Sequence, residues 1–213
     1  MIHSYDKSYL DKAQTALGRM IDYAVYDLEY EPDRFFDLFL TTGYAERFGN
    51  GDFTLIVGKS GVELARMTVE VATGKENNLQ PRYTANRSPE YWAGWALAYY
   101  QWSTALTFRE IVAAVPLSAI IMLYEPYHEM DIRQFCDKMS ELYRIKYPDT
   151  NLKRIRKLVG MTQNELSEQS GVPLRTLQQY EQRQKDINKA QAEYLLLLSK
   201  ALHCSPEDLV EKV

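Results

Sequence analysis

The sequence predicts an all-α fold in two parts: a larger, mostly helical front domain over residues 1–148 and a smaller helical domain over residues 151–213. Three observations carry this. Apolar residues recur at three- and four-residue spacing through most of the chain, the period of a helix with one buried face. Helix starts are written repeatedly as a capping residue followed by an acid or proline, at Ser60, Ser88-Pro89-Glu90, Thr107-x-x-Glu110 and Thr162-x-x-Glu165. Between the two parts, Tyr147-Pro148-Asp149-Thr150 interrupts the pattern, because proline lacks an amide donor and pushes the preceding residue out of the helical region.

Taken in order, Leu10, Ala13, Leu17, Met20, Ile21, Ala24, Val25 and Leu28 form one apolar face, which predicts a helix over Tyr9 to Leu28. Pro32 stands at a tolerated first-turn position ahead of Phe35, Phe36, Leu38, Phe39 and Leu40. Gly49-Asn50-Gly51-Asp52 reads as a turn. Phe53 to Val57 is short, apolar and partly β-branched, and with no second strand to pair with it is expected to be extended loop. Ser60 opens a helix that runs to about Thr73 and is closed by Gly74. Residues 75–87 have little periodicity and are expected to be loop. Ser88 opens a helix to about Thr104, two short helices follow to Tyr124, and another runs from about Met130 to Ile145.

Composition narrows the class. Hydrophobic residues make up 46% of the 213 and charged residues 25%, the balance of a soluble globular chain with a packed core. No apolar run is long enough to span a bilayer, and Met1 to Lys7 lacks the basic-then-apolar order of a secretory leader. The two cysteines, Cys136 and Cys204, and the three histidines, His3, His128 and His203, lack metal-ligand spacing, so no metal and no cofactor is expected. The many glutamates, Glu63, Glu70, Glu90, Glu110, Glu125 and Glu129 among them, stand at helix starts and on exposed faces. With no phosphate-binding glycine loop and no nucleophile–base motif, the expectation is that the chain is not an enzyme and has no catalytic residue. A cytoplasmic location follows from the same features.

Net charge is −4, but unevenly spread: residues 151–213 carry ten Lys or Arg against eight Asp or Glu, a net of +2, leaving −6 on the front. The small domain is also the part with chemistry. Leu152, Ile155, Leu158 and Val159 are expected to form one apolar stripe, with Lys153, Arg154, Arg156 and Lys157 around it and Gly160 as the stop. Thr162-Gln163-Asn164-Glu165 caps a second short helix. Gly171-Val172 makes a tight turn, where glycine supplies a left-handed backbone, and Pro173 opens a third helix over Leu174 to Glu181. Leu177 faces inward there, while Leu174, Arg175, Gln178 and Gln179 lie mostly outward. Arginine can bridge guanine O6 and N7, and glutamine adenine N6 and N7, so this face suits the DNA major groove.

The whole pattern, Leu152-x-x-Ile155-Arg156-x-x-x-Gly160-Met161-Thr162-Gln163-x-x-Leu166-x-x-x-x-Gly171-Val172-x-x-x-x-Leu177-x-x-x-Glu181, resembles the Xre/Cro, phage-repressor type of helix-turn-helix. The later run Leu195 to Leu202, then His203 to Leu209, is similar to that family's last two helices. The resemblance covers the final third of the chain. It implies a five-helix, lambda-repressor-like domain that binds double-stranded DNA. It implies that Gln163 holds a phosphate, that Leu174, Arg175 and Gln179 face base edges, and that Thr176 lies close to the DNA backbone. It further implies an ion pair between Arg156 and Glu181 that is structural, worth about 3–5 kcal/mol if one partner is removed. The chain departs from the family in two ways. Where glycine often follows the third-helix glutamate, this chain has Gln182-Arg183-Gln184-Lys185-Asp186, a longer loop in which Arg183 and Lys185 are candidates for phosphate contacts. Leu174 has no hydrogen bond for a base; it touches a thymine methyl or packs inward.

In the front domain, Trp92, Trp95, Ala96, Tyr99 and Trp102 share one helical face, and Ala93, Gly94, Ala96 and Ala98 would admit another helix closely. Two readings stand: a core helix, or an aromatic surface for a partner protein or a small effector. Through Ser88 to Trp102 this segment is loosely similar to a domain of small Firmicutes regulators and antitoxin-associated proteins. The sequence thus points to a transcriptional regulator, a repressor acting as a homodimer on a pseudo-palindromic operator. The alternative is an antitoxin or adaptor whose front domain sequesters a partner protein, such as a toxin, while the tail autoregulates its operon.

Overall fold

The computed structural model describes residues 3–82 and 87–213; the expected loop over 75–87 therefore lies partly outside the described residues. The chain divides into two units, residues 1–143 and 144–213. Among the described residues every regular element is helical.

In the front unit the helices are α1 (Leu10–Tyr26), α2 (Pro32–Thr41), α3 (Tyr44–Gly49), α4 (Phe53–Ile56), α5 (Gly61–Thr73), α6 (Pro89–Thr104), α7 (Phe108–Ala114), α8 (Leu117–Met122), α9 (Tyr124–Tyr127) and α10 (Ile132–Lys146), whose last turn crosses the division. The capping patterns act as written. Ser60 with Glu63 and Thr107 with Glu110 form reciprocal capping boxes, and the Ser88 hydroxyl accepts from the Tyr91 amide. One expectation is corrected: Phe53 to Val57 is not extended loop, since 53–56 form α4. The Asp52 carboxylate caps it by accepting the Thr54 N–H, and the adjacent Leu55 and Ile56 are both buried. Two neighbouring residues share a buried side in a helical turn but not in a strand, so the cap and the packing override the β-branched composition.

The helix α1 runs through the middle of the front unit and packs most extensively against α6 and α5. Its contact with α6 is backbone to backbone. A Cβ on Gly94 would stand 2.7 Å from the Leu17 carbonyl oxygen and 2.9 Å from the Gly18 Cα. The small residues read from the sequence in α6 do admit a helix, and that helix is α1. Beside it Phe36, Phe39, Phe48 and Phe108 meet mostly edge to face, with centroids 5.7 to 6.3 Å apart.

The second unit holds α11 (Asn151–Val159), α12 (Gln163–Ser170), α13 (Leu174–Glu181), α14 (Ala192–Ala201) and α15 (Pro206–Leu209). Its core is Leu152, Ile155, Leu166, Val172, Leu177, Tyr180, Ile187, Leu198, Leu202 and Leu209. The apolar stripe expected on α11 is shorter than read: Leu158 is 81% exposed and Val159 41%. At about 100° per residue Leu158 falls well off the line through Leu152 and Ile155. The buried position at that level belongs instead to Arg156.

That arginine is buried with its partner. Arg156 Nε donates to Glu181 Oε1 at 2.6 Å and a terminal nitrogen to Oε2 at 2.9 Å, a bidentate pair; the other terminal nitrogen donates to the Met161 carbonyl at 2.7 Å. Gln163 Nε2 donates to Glu181 Oε2 at 2.7 Å. The ion pair ties α11 to the end of α13, and Gln163 adds the start of α12. The pair leaves neither charge stranded, which is the condition under which a buried pair holds.

Two consequences are measurable by denaturant unfolding followed in each unit. Gly94→Val forces side-chain carbons onto the α1 backbone and should destabilise the front unit by about 1–3 kcal/mol or more, leaving the second unit's transition in place. Arg156→Leu strands Glu181 and should cost the second unit about 3–5 kcal/mol, whereas Arg156→Leu with Glu181→Leu should recover most of that loss. A double variant no more stable than the single would refute the pairing account.

Candidate nucleic-acid interface

The second unit presents α13 by fixing everything behind it. Thr162 and Glu165 cap α12 reciprocally. Gly171 ends α12 in the left-handed conformation, φ 73°, which lets the chain reverse within three residues. Two serines lock that turn: Ser167 Oγ donates to the Val172 carbonyl at 2.7 Å, and Ser170 Oγ accepts from the Val172 amide at 3.2 Å while donating to the Leu166 carbonyl at 2.6 Å. The sequence reading missed these serines. Their signal was a polar residue two and five positions before a buried Val172, inside a helix too short to be held by propensity alone. Pro173 precedes α13 with extended backbone, φ −55° and ψ 132°.

Along α13, Leu177, Tyr180 and Glu181 are buried; Arg175 is exposed; Leu174, Thr176, Gln178 and Gln179 are half-exposed. Arg175 and the two glutamines thus retain free surface on a helix whose other side is clamped. Leu174 is neither fully inward nor fully free, so it keeps apolar area at the leading end of the helix. Gln163, at the first position of α12, is half-buried because its amide nitrogen is drawn to Glu181; one of its two amide hydrogens remains.

The loop after α13 shows why the family's glycine is dispensable. Arg183 itself takes the left-handed conformation, φ 55°, costly for a side chain with a Cβ. Its guanidinium offsets this by donating to the Pro148 carbonyl at 2.6 Å and to Glu211 Oε2 at 3.3 Å. Glu211 in turn accepts from the Asn151 amide at 2.5 Å, and Asn188 bonds the Glu211 backbone in both directions. Arg183 therefore clasps the carboxyl-terminal segment to the start of α11. The Gln179 carbonyl accepts from the Gln184 and Lys185 amides, folding the loop back under α13 and leaving Lys185 exposed.

Charge is distributed unevenly among the basic residues. Asp149 pairs with both Lys153 and Lys157 at 2.7 Å, and these lysines hold its carboxyl down at about 2. Arg156 pairs with Glu181, Arg183 with Glu211 and Lys189 with Asp186. Arg175 and Lys185 are exposed and form no ion pair with the described residues.

In the front unit the four aromatic candidates are largely engaged. Trp92 packs edge-on against Tyr124 and Phe135, with centroids 5.7 and 5.3 Å away. Trp102 is buried, stacked by His3 at 3.8 Å, and donates to the Tyr5 carbonyl. Trp95 and Tyr99 are half-buried, Tyr99 against Trp102. Among the described residues no three His, Cys, Asp or Glu side chains are placed to hold a metal ion, and no helix is long and apolar enough to cross a membrane.

Neither the curated proteins nor the solved structures give a match to this chain. A family model does: residues 152–209, which span α11 to α15, match HTH_3, the Helix-turn-helix family, so this part of the chain is an Xre and lambda-repressor-like helix-turn-helix domain, the DNA-binding module of transcription regulators.

Proposed function

We propose that α13 enters the major groove of double-stranded DNA and that the protein is a sequence-specific transcriptional repressor in the cytoplasm. The observation that carries this is the polar face of α13, with Arg175 exposed and Thr176, Gln178 and Gln179 half-exposed, on a helix whose opposite side is fixed by the Arg156–Glu181 pair. Arg175 reads guanine, Gln178 and Gln179 read adenine, and Leu174 covers a thymine methyl. Thr176 lies against the DNA backbone. Gln163 offers its remaining amide hydrogen to a phosphate at the amino end of α12, where the helix dipole favours an anion. Lys185 meets a second phosphate. Arg183 is a positioning residue in this scheme, because its guanidinium is held by Pro148 and Glu211. One module reads one half-site, so a homodimer on a pseudo-palindromic operator follows, with half-sites about 10 base pairs apart or a multiple of that.

The front unit is read as the sensing half of the regulator. A cavity of about 410 Å³ lies among α3, α6 and α7, bordered by Gln101, Leu106, Phe108 and Arg109. That volume is within the range of small-ligand pockets. Gln101 is 3% exposed; its amide nitrogen reaches Ser4, Gly49 and Leu106, while its carbonyl oxygen has no donor among the described residues.

Binding to the genomic duplexes recovered with the native protein tests the DNA assignment. Arg175→Ala should lose about 1–3 kcal/mol and relax preference at one base position. Lys185→Ala should weaken all duplexes alike and reduce the salt slope by about 1. Equal effects of both variants on every sequence would refute the division of roles. For the front unit, native mass spectrometry of freshly purified protein should show a small molecule that is absent from a variant with Leu106→Trp, which fills the cavity; identical spectra would remove the effector reading.

A further inference from the structure

We propose that the outer face of α14 is a self-complementary surface through which two copies of the chain pair, resting on the DNA-binding reading above for where that pairing is used. The exposed positions of α14 are Ala192, Glu193, Leu196 and Lys200, which fall within an arc of about 100° and so on one face. Leu196 stands 59% exposed at the centre of that face, whereas Leu198 and Leu202 are in the core of the same unit. Glu193 and Lys200 flank Leu196 on either side, and neither forms an ion pair with the described residues. They are seven residues apart, about 10.5 Å along the helix, and they do not pair with each other.

Two such helices laid antiparallel, centred between Leu196 and Leu197, satisfy both ends at once. Glu193 then faces the partner's Lys200, and Lys200 faces the partner's Glu193. The exposed leucine meets its own counterpart. An interface that uses the same patch twice is what a twofold axis requires. The other exposed apolar patch of the unit, Leu158 and Val159 at the end of α11, lacks this property. It is flanked by Arg154 and Lys157, and α11 carries no carboxylate to offer a partner. A second copy placed there meets like charge.

The face is one helix wide, short of the about 1,200 Å² of a stable interface, so the pairing is weak between free molecules and is used when two half-sites hold the domains side by side. It makes binding to paired half-sites cooperative.

The test uses the full chain with wild type, Glu193→Lys, Lys200→Glu and the double exchange, on duplexes carrying one or two half-sites. Each single exchange sets like charges against each other twice and should weaken two-site binding by roughly three- to tenfold, with one-site binding unchanged. The double exchange restores the opposite-charge pairing and should return two-site binding to within about twofold of wild type. A merely structural effect on α14 would add in the double variant rather than cancel. In parallel, at high protein concentration, a zero-length carbodiimide cross-linker should join Glu193 to Lys200 in a dimer band, which only a link between two chains produces. Double-variant binding no better than the singles, or no such cross-link, overturns the interface. Wild type that cross-links but binds no duplex would instead overturn the DNA-binding reading and leave the interface standing.

Discussion

The geometry of the second unit depends on the buried pair between Arg156 and Glu181. Five short helices, none longer than ten residues, have little capacity to hold an orientation by propensity alone. A bidentate contact between the first and third of them, with Gln163 joining from the second, replaces a sliding apolar contact by one with a fixed distance and direction. Removing either charge leaves the other stranded in the core, which is why the arrangement is all-or-none. The consequence for function is that α13 is held rigidly from behind while its front remains free.

The same unit sorts its cations by task. Lys153 and Lys157 on α11 are held by Asp149, Arg183 by Glu211 and Lys189 by Asp186, so these four shape the domain and contribute little outward field. Arg175 on α13 and Lys185 in the loop after it remain exposed. A domain with a net charge of only +2 can therefore still present positive charge beside α13, because several of its other cations are neutralised by acids. Arg183 illustrates the rule: in sequence it looks like a phosphate contact, yet its left-handed backbone and its two partners make it the latch that closes the carboxyl end onto Pro148 and Glu211.

What the sequence showed, and what it did not, has physical reasons. Caps and glycine stops are local: Ser60 with Glu63, Thr162 with Glu165, and Gly171 each act within four residues, and each was legible. Contacts between segments distant in sequence were not, apart from the Arg156–Glu181 pair, which the resemblance implied. The clasp of Asn151, Arg183, Asn188 and Glu211 joins positions up to sixty residues apart, and no periodicity announces it. Phe53 to Val57 was misread because its composition favours a strand, while the deciding facts are a neighbouring cap and a core under Leu55 and Ile56. Leu158 was misread because the true buried position on α11 is occupied by a charge, which an apolar pattern cannot reveal. In the front unit, the tryptophans of α6 were visible as a face, but whether that face met solvent or Tyr124 and Phe135 was decided by helices further along the chain.

The central claim is that a clamped α13 reads DNA sequence. Selection of bound duplexes from a random pool, repeated across a range of salt, tests it most directly. The account predicts an enriched, twofold-symmetric motif whose half-sites contain guanine and adenine in register with Arg175 and the two glutamines, bound with an affinity that falls steeply as salt rises. A pool that remains random at every salt concentration would contradict it.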